Sequence, residues 1–207
     1  MLIEFSNLSK YGITPRGVIH VGMHKAEEYA IYKTANVQKI CFIEANPKLC
    51  EYSSMYVIGK DSTTDIINAA ISDVSGQEVE LKITNNFESS SILDLKEHSK
   101  IYPHIVEVER IKMKTNTLDQ VIGYYKEDVN LFNVLNLDIQ GVELRAMKGL
   151  TNWSNIEAVF TEVNYKEMYA GCNLIDEITE FLSSKGFKKA EEVDTGCGWG
   201  DALYIKN

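Results

Sequence analysis

The feature that most constrains the fold is a regular alternation between short apolar runs and longer amphipathic stretches. This pattern is typical of buried parallel strands joined by crossover helices. It predicts an α/β fold of three layers, with helices on both faces of a mostly parallel sheet. Five runs are interpreted as its strands: 17–22 (GVIHVG), 39–44 (KICFIE), 65–72 (DIINAAIS), 131–139 (LFNVLNLDI) and 156–163 (IEAVFTEV). Four stretches are interpreted as helices: 25–35, 46–57, 141–150 and 174–187.

Two parts of the chain depart from this alternation. Residues 76–84 and 105–115 alternate apolar with polar side chains, which is typical of antiparallel strands. Near the end, two short strand patterns flank the glycine-rich stretch 194–200 (DTGCGWG), which we expect to turn a hairpin. The sheet is therefore expected to finish with one C-terminal antiparallel strand.

Length, charge and cysteine content limit the class of protein. A chain of 207 residues suits a single domain over 1–207, with about 85–115 as an insertion on the substrate side. The net charge of −9 argues against a nucleic-acid partner. There is no signal-peptide pattern and no apolar window of the roughly 20 residues that a membrane span needs. Without metal-ligand spacing, the cysteines are expected to be reduced thiols of a cytoplasmic protein: Cys41, Cys50, Cys172 and Cys197.

The loop after the first strand has one glycine where a pyrophosphate-binding loop needs three. Gly22 is followed by Met23 and His24, which are too bulky to wrap a diphosphate. Glu44 ends the second strand about twenty residues later, where a carboxylate can accept hydrogen bonds from both hydroxyls of a ribose. Glu44 can instead cap the helix that begins at Pro47. A ribose site without a phosphate loop predicts a nucleoside cofactor that lacks phosphates, and S-adenosylmethionine fits this description.

Other cofactor contacts are expected wherever a parallel strand ends, because ligands lie over the carboxyl ends of such strands. The second and third strands contribute Ala45, Asn46, Ala70 and Ile71, and the fourth and fifth end in Asp138 and Glu162.

Several further segments follow one another over about 17–187: 20–29 (HVGMHKAEEY), 42–47 (FIEANP), 68–76 (NAAISDVSG), 89–93 (SSSIL), 115–119 (TNTLD), 135–150 (LNLDIQGVELRAMKGL) and 160–171 (FTEVNYKEMYAG). Their order and spacing give the chain a resemblance to the FkbM-type S-adenosylmethionine-dependent methyltransferases. It implies a Rossmann-like methyltransferase fold, and a cofactor contact at Ser91 in the serine-rich turn. Two positions differ from the family pattern. His20 replaces an acidic residue at the end of the first strand, and Ala26 replaces the second glycine of the loop, where we expect a helix to begin.

The chemistry predicted from these residues is methyl transfer to an oxygen atom. A hydroxyl acceptor needs a base, and Asp138 is the first candidate for that base, although it can also hold the cofactor's ammonium group or cap the following helix. Glu162 is the second candidate base. His24 can orient the substrate or carry the proton, or it can be an ordinary loop histidine. No metal site is expected.

The resemblance implies a sugar or glycan hydroxyl as acceptor. Two other functions stay open at this point. One is an NAD-dependent oxidoreductase or epimerase of Rossmann type, and the other is a non-catalytic binding module with the same fold.

Overall fold

The central sheet has seven strands in the order β3-β2-β1-β7-β8-β10-β9. The computed structural model describes residues 1–125 and 128–207. Neighbouring strands from β3 to β8 are parallel, and β10 is antiparallel to both β8 and β9. The mostly parallel sheet and its C-terminal antiparallel strand confirm the predicted α/β fold. The strands are β1 (Gly17–Val21), β2 (Lys39–Glu44), β3 (Thr64–Asn68), β7 (Phe132–Leu137), β8 (Ala158–Asn164), β9 (Phe187–Asp194) and β10 (Trp199–Lys206).

Helices cover both faces of this sheet. The α-helices are α1 (Tyr29–Thr34), α2 (Pro47–Ser53), α3 (Glu97–Ile101), α4 (Leu118–Gly123), α5 (Glu143–Lys148) and α6 (Ile175–Ser184). Short helical turns of other types span Phe5–Tyr11, Ser54–Ile58 and Asp128–Leu131.

Two hydrophobic cores follow from the alternation of side chains along the strands. On β1, Ile19 and Val21 pack into a core with residues of α4, α5 and α6, while Val18 packs into the opposite core with Tyr32 of α1 and Phe5. Because successive side chains of a strand point to opposite faces, an almost wholly apolar strand fills both cores. The sheet is therefore the middle layer of three.

A second sheet of three strands, in the order β4-β6-β5, lies beside the first. Its members are β4 (Ala70–Ile71), β5 (Glu78–Thr84) and β6 (Glu107–Asn116). β5 and β6 are antiparallel, as the alternating sequence predicts. The prediction of one continuous strand over 65–72 is wrong, because the chain leaves the main sheet after Asn68 and Ala70 and Ile71 pair with β6 instead.

The helix predicted to begin near Ala26 is also shorter than expected. His24 and Ala26 have φ values of 50° and 58°, in the left-handed region, and α1 begins only at Tyr29. A left-handed φ is incompatible with a right-handed α-helix. The alanine therefore occupies a position for which glycine is the less strained residue.

The cysteines and helices add two observations. All four cysteines are free thiols. Within 1–125 and 128–207, every helix is too short or too polar to cross a bilayer.

Candidate functional site

A cavity of about 570 Å³ opens over the carboxyl ends of β1, β2, β7 and β8. This volume lies in the range of roughly 300–1,000 Å³ that is usual for small-molecule sites. Its wall also contains residues of the turn 86–92, of α3 and of the start of β10. The predicted site residues that line it are Gly22, Met23, His24, Glu44, Ala45, Ala70, Ile71, Ser91, Asp138 and Glu162.

Gly22 permits a close approach between two strand ends. Its φ is 86°, and a Cβ built there would lie 1.7 Å from the carbonyl oxygen of Asp138. The N–H groups of Gly22 and Met23 both donate to the carbonyl oxygen of Ile43, at 2.8 and 3.3 Å. This glycine therefore allows the ends of β1, β2 and β7 to lie together at the floor of the cavity.

Glu44 organises the backbone at the carboxyl ends of β1 and β2. Its Oε2 accepts from the N–H of His24 at 3.0 Å, and its Oε1 accepts from the N–H of Asn46 at 2.8 Å. Burial raises the pKa of Glu44, and these backbone hydrogen bonds oppose that rise. Each carboxylate oxygen has a second lone pair, so both can still accept from a ligand.

Asn46 is separate from the cavity wall. Its side chain is buried, and Oδ1 accepts from the N–H of Lys48 at 3.0 Å, so Asn46 is the N-cap of α2. The structure therefore gives the capping role to Asn46, where the sequence left it open for Glu44.

His24 presents an unpartnered nitrogen at the cavity. Its Nδ1 lies 2.8 Å from Oε1 of Glu27, whereas its Nε2 is buried without a hydrogen-bond partner. Burial alone favours the neutral ring, but the hydrogen bond and the charge of Glu27 leave the pKa of His24 above its usual value. A buried unpaired donor is costly unless a ligand satisfies it.

A side-chain amide joins the two candidate bases. Nε2 of Gln140 donates to Oδ1 of Asp138 at 2.7 Å and to Oε2 of Glu162 at 2.8 Å. The Gln140 backbone has a φ of 55°, and its Oε1 accepts a short hydrogen bond from the hydroxyl of Tyr169. Gln140 thus fixes both carboxylates, although sequence reasoning did not single it out.

The surroundings of Asp138 and Glu162 raise the pKa of both carboxyl groups above their usual values. Burial raises the pKa of Asp138 to about 6; the hydrogen bond from Gln140 opposes this rise, and the negative charge of Asp201 adds to it. The pKa of Glu162 is raised well above its usual value by burial and then by the charge of Asp138. Asp138 faces the open cavity, whereas Glu162 is only 7% exposed. Asp138 is therefore the carboxylate that ionises first.

The alternative that Asp138 caps the following helix is excluded. α5 begins at Glu143, its N-cap position is Val142, and no side chain caps it. Glu143 instead accepts from the N–H of Ile139 at 3.0 Å and from the N–H of Gly141 at 3.1 Å, and it is buried. Glu143 therefore shapes the loop that presents Asp138 and Gln140.

Ser91 uses its hydroxyl within the same loop system. Its Oγ donates to the carbonyl oxygen of Gln140 at 2.8 Å and accepts from the N–H of Leu93 at 3.1 Å. Ser91 thus connects the serine-rich turn to the loop after β7.

The most informative comparison is with protein families. Residues 20–189 match the family described as Methyltransferase FkbM domain. The chain belongs to this family. S-Adenosylmethionine is accordingly the cofactor of this FkbM domain, as the sequence predicts. The Rossmann-type oxidoreductase alternative is thereby set aside.

Solved structures share the fold of the FkbM domain at low sequence identity. TrmK of M. capricolum, in complex with S-adenosyl-homocysteine, has a TM-score of 0.54 and 11% identity, over 100% of this chain and 70% of the other. A putative methyltransferase of Escherichia coli, yhhF, has a TM-score of 0.53 and 9% identity over 98% and 82%. A putative methylase of Haemophilus influenzae has a TM-score of 0.51 and 13% identity over 98% and 85%. No curated protein sequence matches the chain.

The FkbM domain has residues on the far side of its cavity that sequence reasoning missed. They belong to α3, to the ends of β8 and β10, and to the chain just before and after them: His98, Tyr102, Asn164, Tyr169, Trp199 and Asp201. The alternation of side chains along β8 could have identified Asn164, because residues two apart on a strand share a face and Asn164 is two residues after Glu162. In the described part of the chain, no group of three or more His, Cys, Asp or Glu side chains is arranged to hold a metal ion.

Proposed function

We propose that the protein is a cytoplasmic enzyme that transfers a methyl group from S-adenosylmethionine to a hydroxyl group of a sugar or glycan. The observation that carries the proposal is the pair of carboxylates, Asp138 and Glu162, at the carboxyl ends of β7 and β8. The side-chain amide of Gln140 bridges them. A hydroxyl is the acceptor that needs such a base, because its own pKa is far above neutral.

The half of the cavity that lies over the ends of β1 and β2 and beside β4 suits the cofactor. Glu44 supports the ribose hydroxyls, and the apolar side chains of Ala45, Ala70 and Ile71 line the wall against which the adenine ring packs. The unpartnered Nε2 of His24 needs a hydrogen-bond partner in the same region. The structurally similar TrmK was solved with S-adenosyl-homocysteine, which supports a cofactor of this size on this fold.

The reaction follows from the placement of the base. The bound cofactor supplies an electrophilic methyl group on a positively charged sulfur. Asp138 accepts the proton of the acceptor hydroxyl as the new C–O bond forms and the C–S bond breaks, with its electron pair passing to sulfur. Glu162 is bound to the same Gln140 amide, and because its pKa is raised well above its usual value, Asp138 is the group that takes the proton. Gln140 holds the two groups at a fixed separation.

The other half of the cavity, lined by residues of α3, of the chain after β8 and of the start of β10, suits a hydroxylated ring. Aromatic side chains follow one another there, with ring centroids 5.0 Å apart for His98 and Tyr102 and 5.6 Å apart for His98 and Tyr169. Nε1 of Trp199 donates to the Tyr102 hydroxyl at 3.2 Å. Aromatic faces beside carboxylate and amide groups match a ligand with apolar C–H faces and hydroxyl edges. We include the segment 85–115 in this acceptor site because Phe87, His98 and Tyr102 line the cavity.

The test is formation of S-adenosylhomocysteine with a panel of free sugars and oligosaccharides, followed by mass-spectrometric location of the new methyl group. Calorimetry with S-adenosylmethionine and with NAD is the first control. Cofactor binding without turnover of any hydroxyl compound would favour the non-catalytic binding module. A methyl group found only on carbon or nitrogen would refute oxygen transfer.

A further inference from the structure

Four side chains on one face of the β8–β10 pair form a surface that the methyl-transfer chemistry does not fully explain. Asn164 is the register partner of Trp199, and Glu162 is the register partner of Asp201. Residues two apart on a strand share a face at about 6.5 Å spacing, and register partners have Cβ atoms about 5 Å apart. All four side chains line the cavity. We call them the acceptor patch.

The acceptor patch sets two carboxylates side by side. Like charges directly opposite each other destabilise a strand pair, so this arrangement needs a compensating interaction. The N–H of Leu2 donates to Oδ2 of Asp201 at 2.5 Å, and Gln140 donates to Glu162, but both donors are uncharged. The amino group of Met1 also lines the cavity and is paired with Oε1 of Glu28 at 3.2 Å; burial raises the pKa of Asp201 above its usual value, although the charge of that amino group opposes the rise.

In the described part of the chain, carboxylates outnumber the basic groups of the cavity wall, which include the Met1 amino group and His24. Among the described residues, no lysine or arginine lines it, while the carboxylates that do are Glu27, Glu28, Glu44, Glu88, Asp138, Glu162 and Asp201. The cofactor brings one net positive charge, which lies next to Asp138 in the proposed reaction. Asp201 is two strands further along the sheet, about 10 Å away by strand spacing, so the cofactor's charge would lie closer to Asp138 than to Asp201.

Asn164 gives a second and independent sign of a ligand. It is 0% exposed, and neither its Nδ2 nor its Oδ1 has a hydrogen-bond partner. In the wall of the same cavity, Nδ1 of His98 is also buried without a partner. Buried polar groups are paired in almost all folded proteins, so these atoms need a ligand with both a donor and an acceptor.

We propose that the acceptor carries an amino group, and that the acceptor patch binds its ammonium form between Glu162 and Asp201. Asn164 pairs with a neighbouring hydroxyl of the same molecule, and the ring of Trp199 packs against its carbon skeleton and its charge. The acceptor class is an aminosugar or a similar hydroxylated amine. Sugars that carry carboxylate or phosphate groups are excluded by repulsion from the patch. This inference rests on the proposed function, since it concerns the acceptor of the same reaction.

The test uses matched sugars on protein saturated with S-adenosylhomocysteine. Glucosamine, galactosamine and mannosamine are compared by calorimetry with their N-acetyl forms, their parent hexoses and the corresponding uronic acids. We expect at least one free amine to bind tenfold or more tightly than its N-acetyl form and its parent hexose, with no binding of the uronic acids. If no amine binds better than its parent hexose, or if an N-acetyl sugar or a uronic acid binds best, the proposal is overturned.

Two variants separate the patch from general effects of charge. Asp201→Asn keeps an acceptor for the N–H of Leu2 and removes one charge, so amine affinity should fall tenfold or more while affinity for S-adenosylhomocysteine changes less than twofold. Glu180→Gln, on the exposed face of α6, makes the same change in net charge and should leave both affinities unchanged. Equal amine affinity in the two variants would contradict the proposal.

These experiments distinguish failure of the acceptor patch proposal from failure of the proposed function. Amine binding with methylation at nitrogen would support the patch and refute oxygen transfer. Oxygen methylation of a neutral sugar alone would support the function and refute the patch.

Discussion

Replacing Asp138 with asparagine tests the mechanism most directly. The introduced side-chain amide keeps an oxygen for the 2.7 Å hydrogen bond from Gln140, and no helix cap is lost, so the fold should be unchanged. At pH 8 about 99% of a group with a pKa of about 6 is ionised, so almost every wild-type molecule has its base ready. Loss of a general base lowers turnover by roughly 10²-fold or more, which corresponds to about 2.7 kcal/mol in the activation barrier.

The assay is steady-state formation of S-adenosylhomocysteine at saturating cofactor, with kcat and the KM for cofactor measured separately from pH 5 to 9. Because the base works only when ionised, wild-type kcat should rise with pH through about 6 and then level off. Asp176→Asn, on the exposed surface of α6, is the matched control. A raised KM with full recovery of kcat would mean that Asp138 holds the cofactor's ammonium group. Wild-type values for both constants would refute any role, and Glu162 would become the candidate base.

Four further predictions concern Glu44, Gly22, Gln140 and the pH dependence of stability. Glu44→Gln should weaken S-adenosylmethionine binding tenfold or more, since an amide turns an N–H₂ group toward one of two backbone N–H donors; unchanged affinity by calorimetry would remove Glu44 from the site. Gly22→Ala should destabilise the protein by about 3 kcal/mol or more in urea unfolding, because of the 1.7 Å contact and the positive φ; a folded variant of wild-type stability would contradict the packing described. Gln140→Ala should shift the pH dependence of kcat, whereas a purely structural role would alter stability alone. Between pH 5 and 7, the raised pKa values of Asp138 and Glu162 mean that these two groups bind more protons in the folded ligand-free protein than in the unfolded chain, whereas buried His20, with its pKa lowered to about 4, binds fewer. The carboxyl pair therefore lowers stability as pH rises, and Glu162→Gln should make the slope of stability against pH less negative; an unchanged slope would refute the assignment.

The sequence predicted the sheet well because its strands are buried on both faces. A run such as KICFIE is apolar at every inner position, and only a central parallel strand accommodates that. The ends of helices were predicted less well. Nothing in the residue types of His24 and Ala26 reveals a left-handed backbone, which the packing of the loop imposes.

The candidate site was predicted in part for the same reason. Residues at strand ends, such as Glu44 and Asp138, follow directly from the topology. Gln140 did not, because its importance comes from contacts with Glu162 and Tyr169, which are distant in sequence. Its position in the loop after β7 is visible in the sequence, but its partners are not.

The pairing of Ile71 with Asn116 has a consequence for how this family can diversify. The chain departs from the main body just after Ile71 and returns at Asn116, and the N–H of Ser72 donates to the carbonyl oxygen of Asn116 at 2.9 Å. The segment 72–115 is thus a long loop whose two ends are hydrogen-bonded to each other. Lengthening such a loop costs only about 0.6 kcal/mol for each doubling of its length. Insertions and replacements in this segment can therefore change the part of the cavity wall that it forms while the ends of β1, β2 and β7 keep their positions.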